Sequence, residues 1–279
     1  MTRTAWVEGI ALWGGRLPGW ELARAVLRGE ADAPQAPAPR PVPALLPANE
    51  RRRAPDSVAI ALEVAAKACA AAGRDPRSLA SVFASTHGDL AVTDYMCETL
   101  AHAPTQLSPT KFHNSVHNAA AGYWTIATGC TAPYTALSAR GCTFAEGLLE
   151  ALVQAECDAS AVLYVAYDIE ARGPLATMAP SRGVLGAGLV LAARRSPRAQ
   201  ALLRWGVREQ ESPRASPPQH AQLVAGNAMA GCLPLFEALA HAERGRPAGQ
   251  SVAYPLGPGL ILDLALEIGP DSQAPAPAG

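Results

Sequence analysis

The sequence predicts an α/β fold with a layered sheet, and three observations carry that prediction. Short apolar β-type runs alternate with helical stretches along the chain. Glycines punctuate the ends of those stretches. At 279 residues, 49% hydrophobic and 17% charged, the chain can bury a large core, which excludes disorder as its dominant state.

The elements follow in order. Residues 5–12 read as a strand ending at Gly14 and Gly15, and residues 21–28 as a helix with apolar positions at helical intervals, stopped by Gly29. Residues 31–49 hold prolines at 34, 37, 39, 41, 43 and 47, which remove backbone donors and predict an extended surface loop. Asp56 and Ser57 are expected to cap a long Ala-rich helix over 58–72 that Gly73 terminates. A strand over 81–86 leads to His87, Gly88 and Asp89, then a helix over 93–101. Residues 118–128 predict a helix opening on Ala119, Ala120, Ala121 and Gly122, side chains small enough for another element to approach closely. A strand over 134–138, a tight turn at 140–142, a helix over 143–155 and strands over 161–166 and 188–192 come next. After a Pro-rich loop over 212–219, a helix over 227–243 and a last strand over 260–264 precede a Pro/Ala-rich tail, 269–279, expected to be disordered.

Composition restricts the function classes. Lys+Arg 23 against Asp+Glu 24 gives a formal net charge of −1, so the whole chain makes no electrostatic case for nucleic acid or an anionic membrane. No apolar stretch reaches the roughly 20 residues of a membrane span, and the start of the chain lacks the apolar run of a secretory signal, so the expected compartment is the cytoplasm. The 6 cysteines, at 69, 97, 130, 142, 157 and 232, form no C-x-x-C pair, and most are expected to be small buried apolar residues.

Four local features could carry chemistry. Strand, then Arg140-Gly141-Cys142, then helix sets a thiol against unpaired backbone N–H groups and the positive end of a helix dipole, where Cys142 is either an acylatable nucleophile or a small residue filling a crowded turn. His113 and His117 stand four apart, a spacing at which two imidazoles on a helix can share zinc, but Asn114 replaces the glutamate of the metalloprotease pattern and no third ligand follows. Polar residues ordering a loop is the plainer reading there. His87 at a strand end could polarise a substrate or simply satisfy a turn. Gly186-Ala187-Gly188 resembles a piece of a dinucleotide fingerprint, yet a strand rather than a helix follows it.

The order of elements resembles the β-ketoacyl synthases of the thiolase superfamily, and more closely the small ketosynthase-like subunits called chain-length factors of aryl-polyene pathways. The resemblance spans most of the chain. Its most specific block is Asn118-Ala119-Ala120-Ala121-Gly122, then Thr125 to Gly129 and Pro133, similar to the N-x-x-A-G, T-I-x-x-G and G-P segments before the family's nucleophile. Leu185-Gly186-Ala187-Gly188-Leu189-Val190-Leu191 looks like its L-G-x-G-A-G-x-L-V-L run with residues missing. The resemblance implies a five-layered αβαβα thiolase-like fold with a shortened C-terminal half: residues 1–195, a truncated half over 196–268, and the tail.

It also implies where condensing chemistry would sit, with a Cys nucleophile and two histidines. Counting forward from Pro133 puts Gly141 at the nucleophile position, whereas counting back from Val165 and Ala166 puts Cys142 there. The Gly-His pair opening the last helix reads Gly226-Asn227, and Asn is no proton acceptor at neutral pH. Only His220 remains near the place of the other histidine. The expectation is therefore a non-catalytic, cofactor-free and metal-free partner of a ketosynthase. It would form a heterodimer through Asn118, Gly122, Tyr134, Ala136 and Ser138, and would wall the tunnel for an acyl chain carried on an acyl carrier protein. The alternative is a small thioester-handling acyltransferase or condensing enzyme in which Cys142 is acylated with help from His113 or His117.

Overall fold

A computed structural model describes residues 3–158, 160–210, 218–242 and 251–267. The chain runs β1 (Arg3–Gly14), β2 (Leu17–Pro18), α1 (Trp20–Leu27), α2 (Ala48–Arg53), α3 (Asp56–Ala72), β3 (Ala80–Ala84), α4 (Leu90–His102), α5 (Pro109–His113), α6 (Ala119–Thr128) and β4 (Tyr134–Leu137). It continues with α7 (Thr143–Asp158), β5 (Ala161–Asp168), β6 (Leu185–Ala192), β7 (Ala201–Glu209), α8 (Leu233–His241), β8 (Ser251–Pro255) and β9 (Leu260–Glu267).

The strands form one sheet in the order β4-β3-β5-β6-β1-β7-β9-β8, with β2 paired to β1. β3 runs parallel to β4 and β5, and β6 lies antiparallel between β5 and β1. The carboxyl ends of β1, β3, β4 and β5 therefore share one edge, the end of an open α/β sheet where ligands commonly bind. Antiparallel pairing of β1 with β7, from Arg3↔Trp205 to Val7↔Ala201, joins the two halves of the sheet.

The layering follows from which faces are apolar. α3 and α6 cover one face of the first half, with Trp124 and Phe83 buried between them and the sheet. α1, α7 and α8 fill the opposite side. Phe144 at the start of α7 has its ring centroid 5.6 Å from Tyr164 on β5 and 5.4 Å from Tyr254 on β8, so α7 is sandwiched between the two halves. The outer face of the second half carries the exposed cross-strand ion pairs Arg204–Glu267 and Arg208–Asp263 where the first half carries α3.

Glycine spacing explains how α3 lies so close. A Cβ on Gly9 of β1 would stand 2.1 Å from the Ala68 carbonyl oxygen, and one on Gly188 of β6 would stand 2.6 Å from that of Val64. The Gly186-Ala187-Gly188 pair is thus a helix seat within a strand rather than a phosphate loop. Beside Gly9, a bulge in the β1–β6 ladder accommodates Glu8, whose side chain is fully buried. Gly73, with φ 58, ends α3 in the left-handed region, and the next residue, Arg74, places Nε 2.7 Å from Glu8 Oε2 and Nη2 2.9 Å from Oε1. Burial raises the Glu8 carboxyl pKa, but hydrogen bonds from Arg74 and Ser196 outweigh it and hold the group below its ordinary value.

Several expectations need correction. Pro55 takes the N-cap position of α3; Asp56 and Ser57 lie inside the helix, where Asp56 pairs with Arg40 and Ser57 donates to Asp89. The helix expected over 227–243 begins at Leu233 after a 3₁₀ turn, Ala230–Cys232. Residues 48–49, read as loop, open α2. β7 and β8 have no counterpart among the expected elements. The tail and most of the Pro-rich loop lie outside the described residues. Among the described residues no helix is long and apolar enough to cross a membrane.

This packing makes two stability predictions. Gly188→Val overpacks the α3 seat and lowers stability by about 1–3 kcal/mol, a fall of roughly 2–4 °C in melting temperature per kcal/mol. Arg74→Ala strands the Glu8 carboxylate; the cost is about 2–3 kcal/mol at pH 7, below that of a fully buried pair because the guanidinium is partly solvated. Because the Glu8 pKa is depressed, its contribution is present above the ordinary glutamate value and lost as pH falls through the depressed one. Denaturant melts should show the gap between wild type and Arg74→Ala narrowing on acidification.

Candidate functional site

β5 runs two residues past its expected end, and the extra carboxylate organises the strand ends. Asp168 is fully buried. Its Oδ1 accepts from Ser85 Oγ at 2.9 Å and from the His87 backbone N–H at 3.1 Å, and its Oδ2 accepts from the Thr86 N–H at 2.9 Å. The turn after β3 is thereby pinned to the end of β5. Burial pushes the Asp168 pKa above the ordinary aspartate value, against the lowering effect of these hydrogen bonds. The sequence carried a faint signal for it: one acidic residue closing the apolar run of β5.

The turn reaches the strand-to-helix elbow through hydroxyls. Ser138 Oγ donates to the Thr86 carbonyl at 2.9 Å, while the Arg140 carbonyl accepts from Thr143 Oγ1 at 2.7 Å and from Thr86 Oγ1 at 3.5 Å. Arg140 has φ 53, the one positive φ on a non-glycine residue among those described. Such a conformation costs of order 1–3 kcal/mol and persists only where the surroundings over-determine it. The two residues that could occupy the nucleophile position differ in setting. Gly141 is exposed, with nothing within 4 Å of a Cβ built on it, whereas Cys142 is half-buried just ahead of α7.

Asn227 reaches the same end of the sheet, and all its polar atoms are engaged. Nδ2 donates to the carbonyls of Arg182 at 2.9 Å, Asp168 at 3.3 Å and Gly183 at 3.4 Å, and Oδ1 accepts from the Met229 N–H at 2.9 Å. Gly141, Cys142 and Asn227 are therefore gathered around one bonded frame, and Asn227 acts in it as a clamp.

The histidines do not pair. His113 ends α5, exposed and edge-on to Tyr123, while His117 lies beyond the following turn with Nε2 2.8 Å from the Ser85 carbonyl oxygen, so the four-residue spacing does not fall on one helix. Among the described residues no three His, Cys, Asp or Glu side chains cluster as metal ligands. His87 binds the frame through its backbone. His220 is engaged with Glu237, Nδ1 to Oε1 at 3.0 Å. Cys69, Cys130 and Cys232 are buried, and burial pushes the Cys69 and Cys232 thiols up to about 12; Cys97 and Cys157 are exposed, so the expectation of mostly buried cysteines holds for half of them.

Tyr134, Ala136 and Ser138 lie on or just past β4, an edge strand of the sheet. The Ser81 N–H donates to the Pro133 carbonyl and the Ser85 N–H to that of Leu137, so odd-numbered residues face β3 while Tyr134 and Ala136 turn their N–H and C=O to the open edge. Asn118 Nδ2 donates to Tyr134 Oη at 3.0 Å. Beside this edge, α6 presents Ile126, 81% exposed, and Gly122, with nothing within 4 Å of a built Cβ.

Asp168→Asn tests the frame. It mispairs at least one of three donors, the buried Ser85 hydroxyl and the half-buried Thr86 and His87 N–H groups, and costs about 1–3 kcal/mol. Because the Asp168 pKa is raised, its contribution is fully present below the ordinary aspartate value and lost as pH rises through the elevated one. The gap between wild type and Asp168→Asn should widen on acidification, opposite in sign to that of Arg74→Ala.

A family model described as beta-ketoacyl synthase, N-terminal domain, matches residues 24–244. No curated protein sequence matches the chain. Among solved structures, a ketosynthase in complex with its chain length factor from Xenorhabdus doucetiae matches at TM-score 0.70 and 19% identity, over 94% of this chain and 99% of that one. The ishigamide ketosynthase/chain length factor matches at TM-score 0.73 and 15% identity, over 95% and 99%. A beta-ketoacyl synthase from Burkholderia phymatum matches at TM-score 0.64 and 12% identity, over 96% and 100%. With a family model spanning most of its length and a backbone of the same thiolase-like fold, the chain belongs to the beta-ketoacyl synthase N-terminal domain family.

Proposed function

We propose that this chain is a non-catalytic, chain-length-factor-like partner of a ketosynthase, and that it shapes the acyl tunnel of a heterodimer acting in type II polyketide or aryl-polyene biosynthesis. The observation that carries the reading is an open parallel edge strand beside an intact elbow whose exposed tip is glycine. The exposure of Gly141 favours it over Cys142 as the nucleophile position, and glycine has no group to acylate. Asn227, at the place of a family histidine, has every polar atom engaged. Enolate stabilisation and acyl transfer both need groups that these positions lack.

The edge suits the pairing. Tyr134 and Ala136 offer main-chain donors and acceptors, and Ile126, Tyr134 and the open space at Gly122 supply an apolar flank. An obligate interface built on them would bury over about 2,000 Å². The solved structures include a ketosynthase with its chain length factor and a type II polyketide synthase acyl-carrier protein in complex with its ketosynthase. Those partners are the ones proposed for this chain, the carrier protein delivering the acyl chain.

Co-expression with a type II ketosynthase tests the reading. The expected result is a stable heterodimer on gel filtration that Ala136→Pro abolishes. Proline there removes only an outward N–H, so the variant still folds, as circular dichroism would show. Gly122→Trp should block assembly in the same way. Cys142→Ala should leave product formation by the complex unchanged; its loss, together with acylation of Cys142 by an acyl thioester in mass spectra, would instead establish the thioester-handling enzyme.

A further inference from the structure

The backbone strain at the elbow falls on a residue that need not carry it. Arg140 holds φ 53, yet Gly141 beside it, which could take that conformation at no steric cost, is not among the glycines with positive φ. The arginine backbone is held firmly. Its carbonyl accepts from Thr143 Oγ1 and Thr86 Oγ1, and the Ala139 N–H before it donates to Thr143 Oγ1 at 3.0 Å. Only the side chain is unengaged: it is exposed, and among the described residues its guanidinium takes part in no ion pair or hydrogen bond.

That guanidinium is the one formal charge in a long uncharged segment. From Asn118 to Cys142, through α6, the open edge of β4 and the elbow, no other Asp, Glu, Lys or Arg occurs. Ile126 and Tyr134 are exposed on the same stretch. The centres of protein interfaces have this composition, depleted of charge but enriched in aromatic residues and in arginine, which act as anchors. An arginine covered by another surface must be compensated there, because a lone desolvated charge is strongly unfavourable. A second copy of this chain is poorly suited to do so. Its own segment 118–142 has no carboxylate, and the Glu150 carboxylate that reaches β4 is already bonded by Gln154 Nε2 at 2.8 Å and by Thr135 Oγ1 at 3.5 Å.

We propose that Arg140 is the charged anchor of the heterodimer, seated in a bidentate ion pair with a carboxylate that the ketosynthase partner presents at the elbow. The inference rests on the pairing proposed above and adds the chemistry that the partner must carry. Arginine on a fixed backbone offers a carboxylate two parallel N–H donors with less left to order on binding. The strained conformation then serves the complex and not the isolated chain.

Equilibrium association of the full chain with a type II ketosynthase, compared across Arg140 variants, tests the anchor. Arg140→Met keeps the apolar stem and removes the charge, and should raise the dissociation constant at least about tenfold. Arg140→Lys, which keeps the charge without the planar fork, should fall between Arg140→Met and wild type. Arg140→Gly relieves the left-handed strain, so the isolated variant should melt no lower than wild type while pairing as weakly as Arg140→Met. A clear fall in its melting temperature would show that the side chain serves the chain's own fold, and would overturn the assignment. Equal pairing by Arg140→Met and wild type would overturn the anchor and leave the heterodimer standing, whereas failure of wild type to pair would overturn both. A homodimer of the chain alone, weakened as strongly by Arg140→Met, would assign the anchor to a second copy instead.

Discussion

A carboxylate removed from water holds the functional end of this molecule together. Asp168 sits where β5 leaves the core, and it accepts from one side chain and two main-chain groups of the turn after β3. Without it the buried Ser85 hydroxyl would be orphaned, at a cost comparable to a lost hydrogen bond, and the half-buried Thr86 and His87 N–H groups would lose their partner. From that turn the connection runs through Thr86 and Ser138 to the elbow, and from the Asp168 carbonyl to the Asn227 amide. Residues far apart in the chain are thus fixed relative to one another by polar bonds whose geometry leaves little slack.

The other buried carboxylate, Glu8, solves a different problem. It fills a bulge in β1, the strand that joins the two halves, and it is neutralised by Arg74 just beyond the end of α3. The same segment, Glu8 and Gly9, therefore sets both the ion pair and the close seat of the helix. The two carboxyls shift in opposite directions for one reason: a guanidinium compensates Glu8 for desolvation, whereas Asp168 has only neutral donors. Stability on acidification is a balance between them.

The parts of the fold that sequence reasoning recovered are those with strong local period and clear punctuation. α3 ends at Gly73 as expected because a left-handed C-cap is a local demand, and β5 and β6 were found because strands covered on both faces read as unbroken apolar runs. β7 escaped notice for the converse reason. Its outer face carries Arg204 and Arg208, which look like a solvated loop until their partners Glu267 and Asp263 arrive from β9. Of the site, the elbow and Asn227 were visible as motif positions, but Asp168 was not, since nothing local says that a strand-terminal aspartate turns inward. The four-residue spacing of His113 and His117 falls on no single helix because α5 stops at His113 and the turn over 114–118 intervenes before α6, and the plainer reading of residues that order a loop fits the contact of His117 with the Ser85 carbonyl.

What survives at the elbow bears on why it survives. A positive φ at Arg140 is a strain that selection has no cause to keep in a surface turn, yet here two hydroxyls brace its carbonyl and the tip beyond it bears no side chain. The adjoining edge strand is a second expense, since an uncovered row of main-chain donors and acceptors invites indiscriminate pairing. Natural edges are usually blunted by charge, proline or a bulge, and β4, Tyr134–Leu137, has none of the three. Strain and exposure of this kind are jointly tolerable where another surface completes the strand and uses the corner. Edge and elbow are contiguous in the chain, so whatever covers the first must come to rest against the second.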